Sequence, residues 1–167
     1  MLTLGLPTTA TIMYAHPDQP RHWARHLMQI RRLQRSTGGF TEFVPLPFVH
    51  MEAPMYLKGR ARRGPTFREA LLMHAVARLV LHGLIDNIQA SWVKMGRAGV
   101  AACLNAGVND LGGSLMNESI TRAAGSGSLT SPTVRADYYG ARHAHRLLRG
   151  NSQRRNDRRG RRRGQTG

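Results

Sequence analysis

Thiols are almost missing from this chain: Cys103 is its single cysteine. One thiol excludes an internal disulfide and any cysteine-rich metal cage built by this chain alone. Acidic residues are scarce too, with 9 Asp/Glu against 25 Lys/Arg in 167 residues and a formal charge of +16. Although 41% of the residues are hydrophobic, no apolar run approaches the roughly 18 residues of a membrane span. The opening MLTLGLPTTA lacks a basic segment followed by an apolar core, so no secretory signal is read and a cytoplasmic protein with no membrane partner is expected. What is present is one domain's worth of chain, enough to bury a core.

The basic excess is unevenly placed. Residues 1–130 hold 14 Lys/Arg against 7 Asp/Glu, whereas residues 131–167 hold 11 Arg against 2 Asp. The end of the chain, NSQRRNDRRGRRRGQTG, has almost nothing apolar to bury. Residues 126–167 therefore read as a Gly/Ser stretch followed by an Arg-rich disordered tail. Such a tail supports nonspecific polyanion binding and no more, because no aromatic interleaving follows Tyr139.

Residues 40–50, FTEFVPLPFVH, organise the rest. Phe43, Val44 and Leu46 suit a buried strand, but Pro45 and Pro47 cannot donate to a ladder, which predicts a strand over 40–45 that then breaks into a loop. Ahead of it, TTATIMYAH (8–16) reads as a strand. A helix then starts near Pro20, capped by Asp18 or Gln19, with Trp23, Leu27, Ile30 and Leu33 on one face and a stop at Gly38-Gly39. After the strand comes a loop of some fifteen residues, HMEAPMYLKGRARRG. Thr66 and Glu69 form a capping box for a second helix, whose buried stripe is read as Leu72, Val76, Leu79 and Val80. NIQASWV (87–93) is the third strand, and residues 97–106 form an Ala-rich helix ended by Gly107. VNDLGGSL (108–115) is the fourth strand, and MNESITRAA opens a last helix.

Strict alternation of strands and helices predicts an α/β fold with parallel strands and crossover helices. Four such units are half of an eight-stranded α/β barrel or a small doubly wound sheet. Strands of a doubly wound sheet are apolar on both faces. Thr9 and Thr11 alternate with Ala10 and Ile12, and Gln89 and Ser91 with Ile88 and Ala90, which favours a barrel with a polar lumen.

Chemistry-bearing residues gather where these strands end. Tyr14, His16 and Asp18 follow the first strand, where His16 and Asp18 could orient a ligand or move protons. The competing reading is a helix cap. Asn109-Asp110-Leu111-Gly112-Gly113, followed by Asn117 and Glu118, could be a backbone nest for an anionic group, or an ordinary glycine turn. His50 and Glu52, two apart on a loop, are too common a pair to indicate a metal, and no metal ligand set is read. Trp92 with Lys94 could stack on a planar ring or pack on a helix, and Cys103 fits a small core position. A ligand site is thus expected at the C-terminal strand ends, lined by Tyr14, His16, Asp18, Gln89, Ser91, Asn109, Gly112 and Gly113, with Glu42 or residues 46–50 from the second strand.

Four long blocks carry a resemblance: GLPTTATIMYAHPDQPRHWARHLMQIRRLQ, the span from Thr37 to Gly83, IDNIQASWVKMG and GVNDLGGSLMNESITRAAG. Together, over about residues 5–125, they resemble the tyrosine-using half of the FO synthases, radical S-adenosylmethionine enzymes of deazaflavin coenzyme F-420 biosynthesis. The resemblance implies the C-terminal half of a TIM-type barrel over residues 1–125. It implies S-adenosylmethionine and a 4Fe-4S cluster as cofactors. The implied substrates are tyrosine and 5-amino-6-(D-ribitylamino)uracil, joined through a 4-hydroxybenzyl group. The family's Cys-x-x-x-Cys-x-x-Cys motif lies upstream of the matched region, and one cysteine cannot hold that cluster. Where the family has Gly-His and then Val/Ile-Glu, this chain has Ala15-His16-Pro17-Asp18; Ala15 is expected to crowd the S-adenosylmethionine site and Asp18 to reach less far. The expectation is a truncated enzyme, inactive alone, to which a missing N-terminal half-barrel could be added in trans. The alternative is a nonenzymatic remnant or a basic-tailed nucleic-acid-binding fragment.

Overall fold

A computed structural model describes residues 5–111. Gly112, Gly113, the remainder of the fourth strand, the last helix and the expected tail lie outside the described residues. The element order is β1 (Thr8–Tyr14), α1 (Pro20–Thr37), β2 (Phe40–Pro47), α2 (Pro54–Leu57), α3 (Phe67–Leu81), β3 (Asn87–Ile88) and α4 (Trp92–Asn105). The fold is α/β, with one open sheet of order β1-β2-β3 in which both pairs are parallel. Strands adjacent in sequence are adjacent in space, so right-handed crossovers place successive helices on the same face. α3 accordingly packs between α1 and α4.

The register sorts the two faces. Ala10 pairs with Phe43 and Phe43 with Ile88. These three join Ile12 and Tyr14 in a core with Trp23, Leu27 and Ile30 of α1 and with Met73, Ala77 and Leu81 of α3. On the opposite face Thr9, Thr11 and Met13 are exposed, and Thr9 donates from Oγ1 to Glu42 Oε1 at 2.8 Å. The alternation of Thr9 and Thr11 with Ala10 and Ile12 therefore marks a helix-covered face and a polar face. Among the described residues no strand pairs with the outer edge of β1, and the sheet is not closed.

Several expectations about the elements need correction. β2 does not break at residue 45 but stays paired with β1 through Tyr14 opposite Pro47. The physical reason is direction. Val44, Leu46 and Phe48 turn their amides to β1, as the bond from Phe48 N to Tyr14 O (3.1 Å) shows. Pro45 and Pro47, with Phe43, face the β3 side, where the ladder has already ended at Phe43 and Ile88. No donor is missed there.

β3 is shorter than the expected 87–93. Ser91 becomes the N-cap residue of α4, whose first turn at Trp92 is additional to the expected Ala-rich helix; the latter follows the non-helical Gly96 (φ 64°, ψ 175°) and runs to Asn105, as expected from residue 97. Of the fourth strand, the described residues hold a parallel bridge between Gln89 and Asp110. The Asn109 side chain accepts from Ile88 N at 2.8 Å, supplying a side-chain bond where a strand would supply backbone.

The helices start and stop largely as their caps dictate. Thr66 and Glu69 form the capping box of α3, and Gly38 (φ 63°) closes α1 by donating to Gln34 O at 2.8 Å. Their buried faces differ from the expected ones. In α1 Leu33 is exposed and Gln34 is buried instead, bonded through Nε2 to the carbonyls of Phe40 and Leu84 and through Oε1 to Phe40 N. In α3 the buried residues are Ala70, Met73, His74, Ala77 and Leu81, while Leu72, Val76 and Leu79 are exposed. Its sequence, FREALLMHAVARLVL, is apolar almost all round, so periodicity did not select a face. No helix among the described residues is long and apolar enough to cross a membrane.

Candidate functional site at the C-terminal ends of the strands

β1 leaves the sheet through a strained turn. Ala15 is fully buried with φ at 68°, a left-handed conformation that costs a residue with a Cβ about 1–2 kcal/mol. The turn lets His16 and Asp18 face each other: Asp18 Oδ1 accepts from His16 N at 2.8 Å and lies 3.1 Å from His16 Nδ1. Trp23 of α1 donates from Nε1 to Asp18 Oδ2. Asp18 is thus spent on the turn and on Trp23, and the N-cap of α1 is Gln19. We expect Ala15→Gly to stabilise the chain by about 0.5–1 kcal/mol, the relieved strain outweighing the entropy of glycine. A urea midpoint that falls instead would show that the Ala15 methyl, part of the core, contributes more than the strain removes.

Two neighbouring clefts open beside this turn. The first, about 480 Å³, is lined by His16, Asp18, Gln19, Arg60, Arg62 and Glu69. The second, about 340 Å³, lies at the exit of β2 and is lined by Phe48, His50, Arg63, Phe67, Lys94 and Met95 among others. Apolar walls with Arg63 and Lys94 suit a ring or chain bearing an anionic group, and Arg60 adds a cation to the first cleft. The carboxylate of Glu69 is already taken by Arg62, through two bonds of 2.9 and 3.0 Å. Burial raises the Glu69 pKa, but hydrogen bonds from Thr66 and Arg62 prevail and hold it below the usual carboxylate range.

Of the residues expected to line a site, the structure brings His16 and Asp18 together in the first cleft. Tyr14 lies on the helix-covered side, fully buried, its ring 5.3 Å from that of Trp23 at 76°. Burial raises its pKa far above the ordinary phenol value. Glu42 sits at the other end of β2, opposite Asn87 and bonded to Thr9. Gln89 and Ser91 follow β3, half-buried, and Ser91 caps α4. Asn109 is a strut: it accepts from Arg78 and Ile88 N, and it donates to Asp86 O. His50 packs its ring on Tyr56 at 4.8 Å. Phe48 falls within the expected 46–50 contribution of the second strand and lines the second cleft, whereas Arg62, Glu69 and Trp23 were not among the expected site residues. The one sequence signal among them was the capping box, which names Glu69 but not Arg62 seven residues before it.

A 4Fe-4S cluster does not fit the residues described. Cys103 is fully buried, and burial pushes its thiol up to about 11, away from the thiolate a cluster needs. Its near neighbour is the buried His74, whose Nδ1 is 3.9 Å from Cys103 Sγ and 2.7 Å from Ala70 O. Burial lowers the His74 pKa, so the ring sits there neutral. Among the described residues no group of three or more His, Cys, Asp or Glu could hold a metal ion.

The chain is 56% identical over 131 residues to FO synthase from Nocardia farcinica, an alignment that covers 78% of this chain and 15% of that protein. It is 58% identical over 123 residues to FO synthase from Streptomyces coelicolor, covering 74% and 14%. It is 53% identical over 122 residues to 5-amino-6-(D-ribitylamino)uracil–L-tyrosine 4-hydroxyphenyl transferase from Methanocaldococcus jannaschii, covering 73% and 34%. The chain therefore spans about a third of the transferase and a smaller share of the FO synthases. Residues 37–157 match the family described as the CofH/MqnC C-terminal region, a match that runs past Gly125, where the resemblance read from sequence stopped. By that match, which takes in most of its length, this chain belongs to the CofH/MqnC C-terminal region family.

Proposed function

We propose that this chain supplies C-terminal strand–helix units of an eight-stranded radical S-adenosylmethionine barrel. In the complete barrel, a 4-hydroxybenzyl group from tyrosine is joined to 5-amino-6-(D-ribitylamino)uracil. The observation that carries this reading is the 53% identity over 122 residues to the transferase named for that pair of substrates. The sequential parallel order, the helices on one face and the clefts at the C-terminal strand ends support it, because barrel enzymes assemble their chemistry there.

Within this reading each cleft has a task. Arg63 and Lys94 attract a carboxylate, such as that of tyrosine or S-adenosylmethionine, while Phe48, Phe67 and Met95 exclude water from an aromatic ring. His16, held against Asp18, offers a fixed polar contact in the neighbouring cleft. The iron–sulfur cluster is held by residues outside this sequence, since Cys103 is the one cysteine here. The chain alone is therefore inert, and its activity is tested by adding back the remainder of a related barrel.

A further inference from the structure

We propose that Arg62 and Glu69 are positioning residues for His16, acting through Trp23 and Asp18; the proposal rests on the reading of the β1 cleft as a ligand site. Arg62, Trp23, Asp18 and His16 form a closed ring of contacts, a relay anchored through Glu69. Glu69, at the start of α3, accepts from Thr66 N at 2.8 Å and grips the Arg62 guanidinium with both oxygens. That guanidinium lies 5.8 Å over the Trp23 ring, and Arg62 N donates to His16 O at 3.3 Å. Trp23 Nε1 donates to Asp18 Oδ2, and Asp18 Oδ1 accepts from His16 N. His16 Nδ1 stands 3.1 Å from that same oxygen.

The carbonyl and the amide of His16 are thus each bonded by a member of this relay, and the ring is set beside Asp18 with its buried Nδ1 close to the carboxylate but not hydrogen-bonded. The remaining ring contact of His16 is a tilted one with Phe48 at 6.0 Å. Three segments meet here: the β1 exit, whose own Asp18 bonds the His16 amide, α1 through Trp23, and the loop before α3 through Arg62. A guanidinium suits position 62 because one of its nitrogens, Nη1, donates to both oxygens of Glu69 while the delocalised cation lies over the indole. A compact, strongly hydrated ammonium could hold the carboxylate but would cover the ring less well. The ligand then meets a histidine already set in place, with less conformational freedom to lose on binding.

The test compares the full chain with Arg62→Lys and Trp23→Phe by NMR hydrogen exchange and by the His16 ring resonances, with no ligand present. Arg62→Lys should speed exchange of the His16 amide and the Trp23 indole by about tenfold or more. It should shift the His16 ring signals, and it should leave the β2–β3 amide of Gln89 protected. Trp23→Phe keeps a ring for Arg62 but deletes the indole donor, so it should shift the His16 ring as well. Unchanged His16 signals in both variants would overturn the proposal. So would equal acceleration at His16 and Gln89, which would mean a uniform loss of stability. Because no substrate is used, the relay can stand while a transferase assay refutes the function, or fail while the function stands.

Discussion

Phe43→Ala is expected to destabilise the chain by about 3–5 kcal/mol, the range for emptying a large aromatic site in a packed core. Phe43 is fully buried at the middle of the central strand, opposite Ala10 on one side and Ile88 on the other, in the same core as Met73 and Ala77 of α3. Its carbonyl also accepts from Gln89 N at 3.0 Å, so collapse around the cavity would disturb the ladder to β3. Domains of this size are stable by only about 5–15 kcal/mol. The variant should therefore populate unfolded chain under mild conditions. Urea titration followed by far-UV circular dichroism measures it, and a loss below about 1.5 kcal/mol would mean that the core refills around the missing ring.

Gly64→Ala should be nearly as damaging, for a different reason. Gly64 has φ of 97°, and a Cβ there would lie 2.4 Å from the carbonyl oxygen of Phe48. The obstacle is backbone, so no side-chain rotation relieves it. The left-handed conformation adds about 1–2 kcal/mol of its own. We expect a loss above about 2 kcal/mol in total, with the loop carrying Arg62 and Arg63 forced away from Phe48 and His50. Both clefts would widen. Gly59→Ala is the control: φ is 68° but nothing lies within 4 Å of the added carbon, so only the conformational strain should appear. Equal losses in the two variants would contradict a close backbone approach at Gly64.

Local signals were legible where a short-range rule decides the outcome. The Thr66–Glu69 box, the glycine stop after α1 and the alternation of Thr9 and Thr11 with Ala10 and Ile12 each place an element or a face. Long-range bonds were not. Gln34 is buried because it satisfies backbone groups at the first residue of β2, Phe40, and in the turn before β3, at Leu84, and no pattern within α1 announces that. The prolines of β2 were read as breakers because their direction depends on where β3 stops. At the rim, the sequence placed His16 beside Asp18 but not Arg62 over Trp23, a contact between α1 and the loop before α3. Asn109 resembled part of an anion nest because its role as a strut depends on Arg78, 31 residues earlier.

The most direct measurement of the central claim is reconstitution under anaerobic conditions. The purified chain is mixed with a separately produced N-terminal part of the Methanocaldococcus jannaschii transferase, reconstituted with iron and sulfide. S-adenosylmethionine, tyrosine and 5-amino-6-(D-ribitylamino)uracil are added, and the 4-hydroxybenzyl adduct is followed by mass spectrometry. The account predicts adduct when both polypeptides are present, none from either alone, and little when the chain carries Phe43→Ala. No adduct from the mixture, under conditions where the intact transferase turns over, would contradict it.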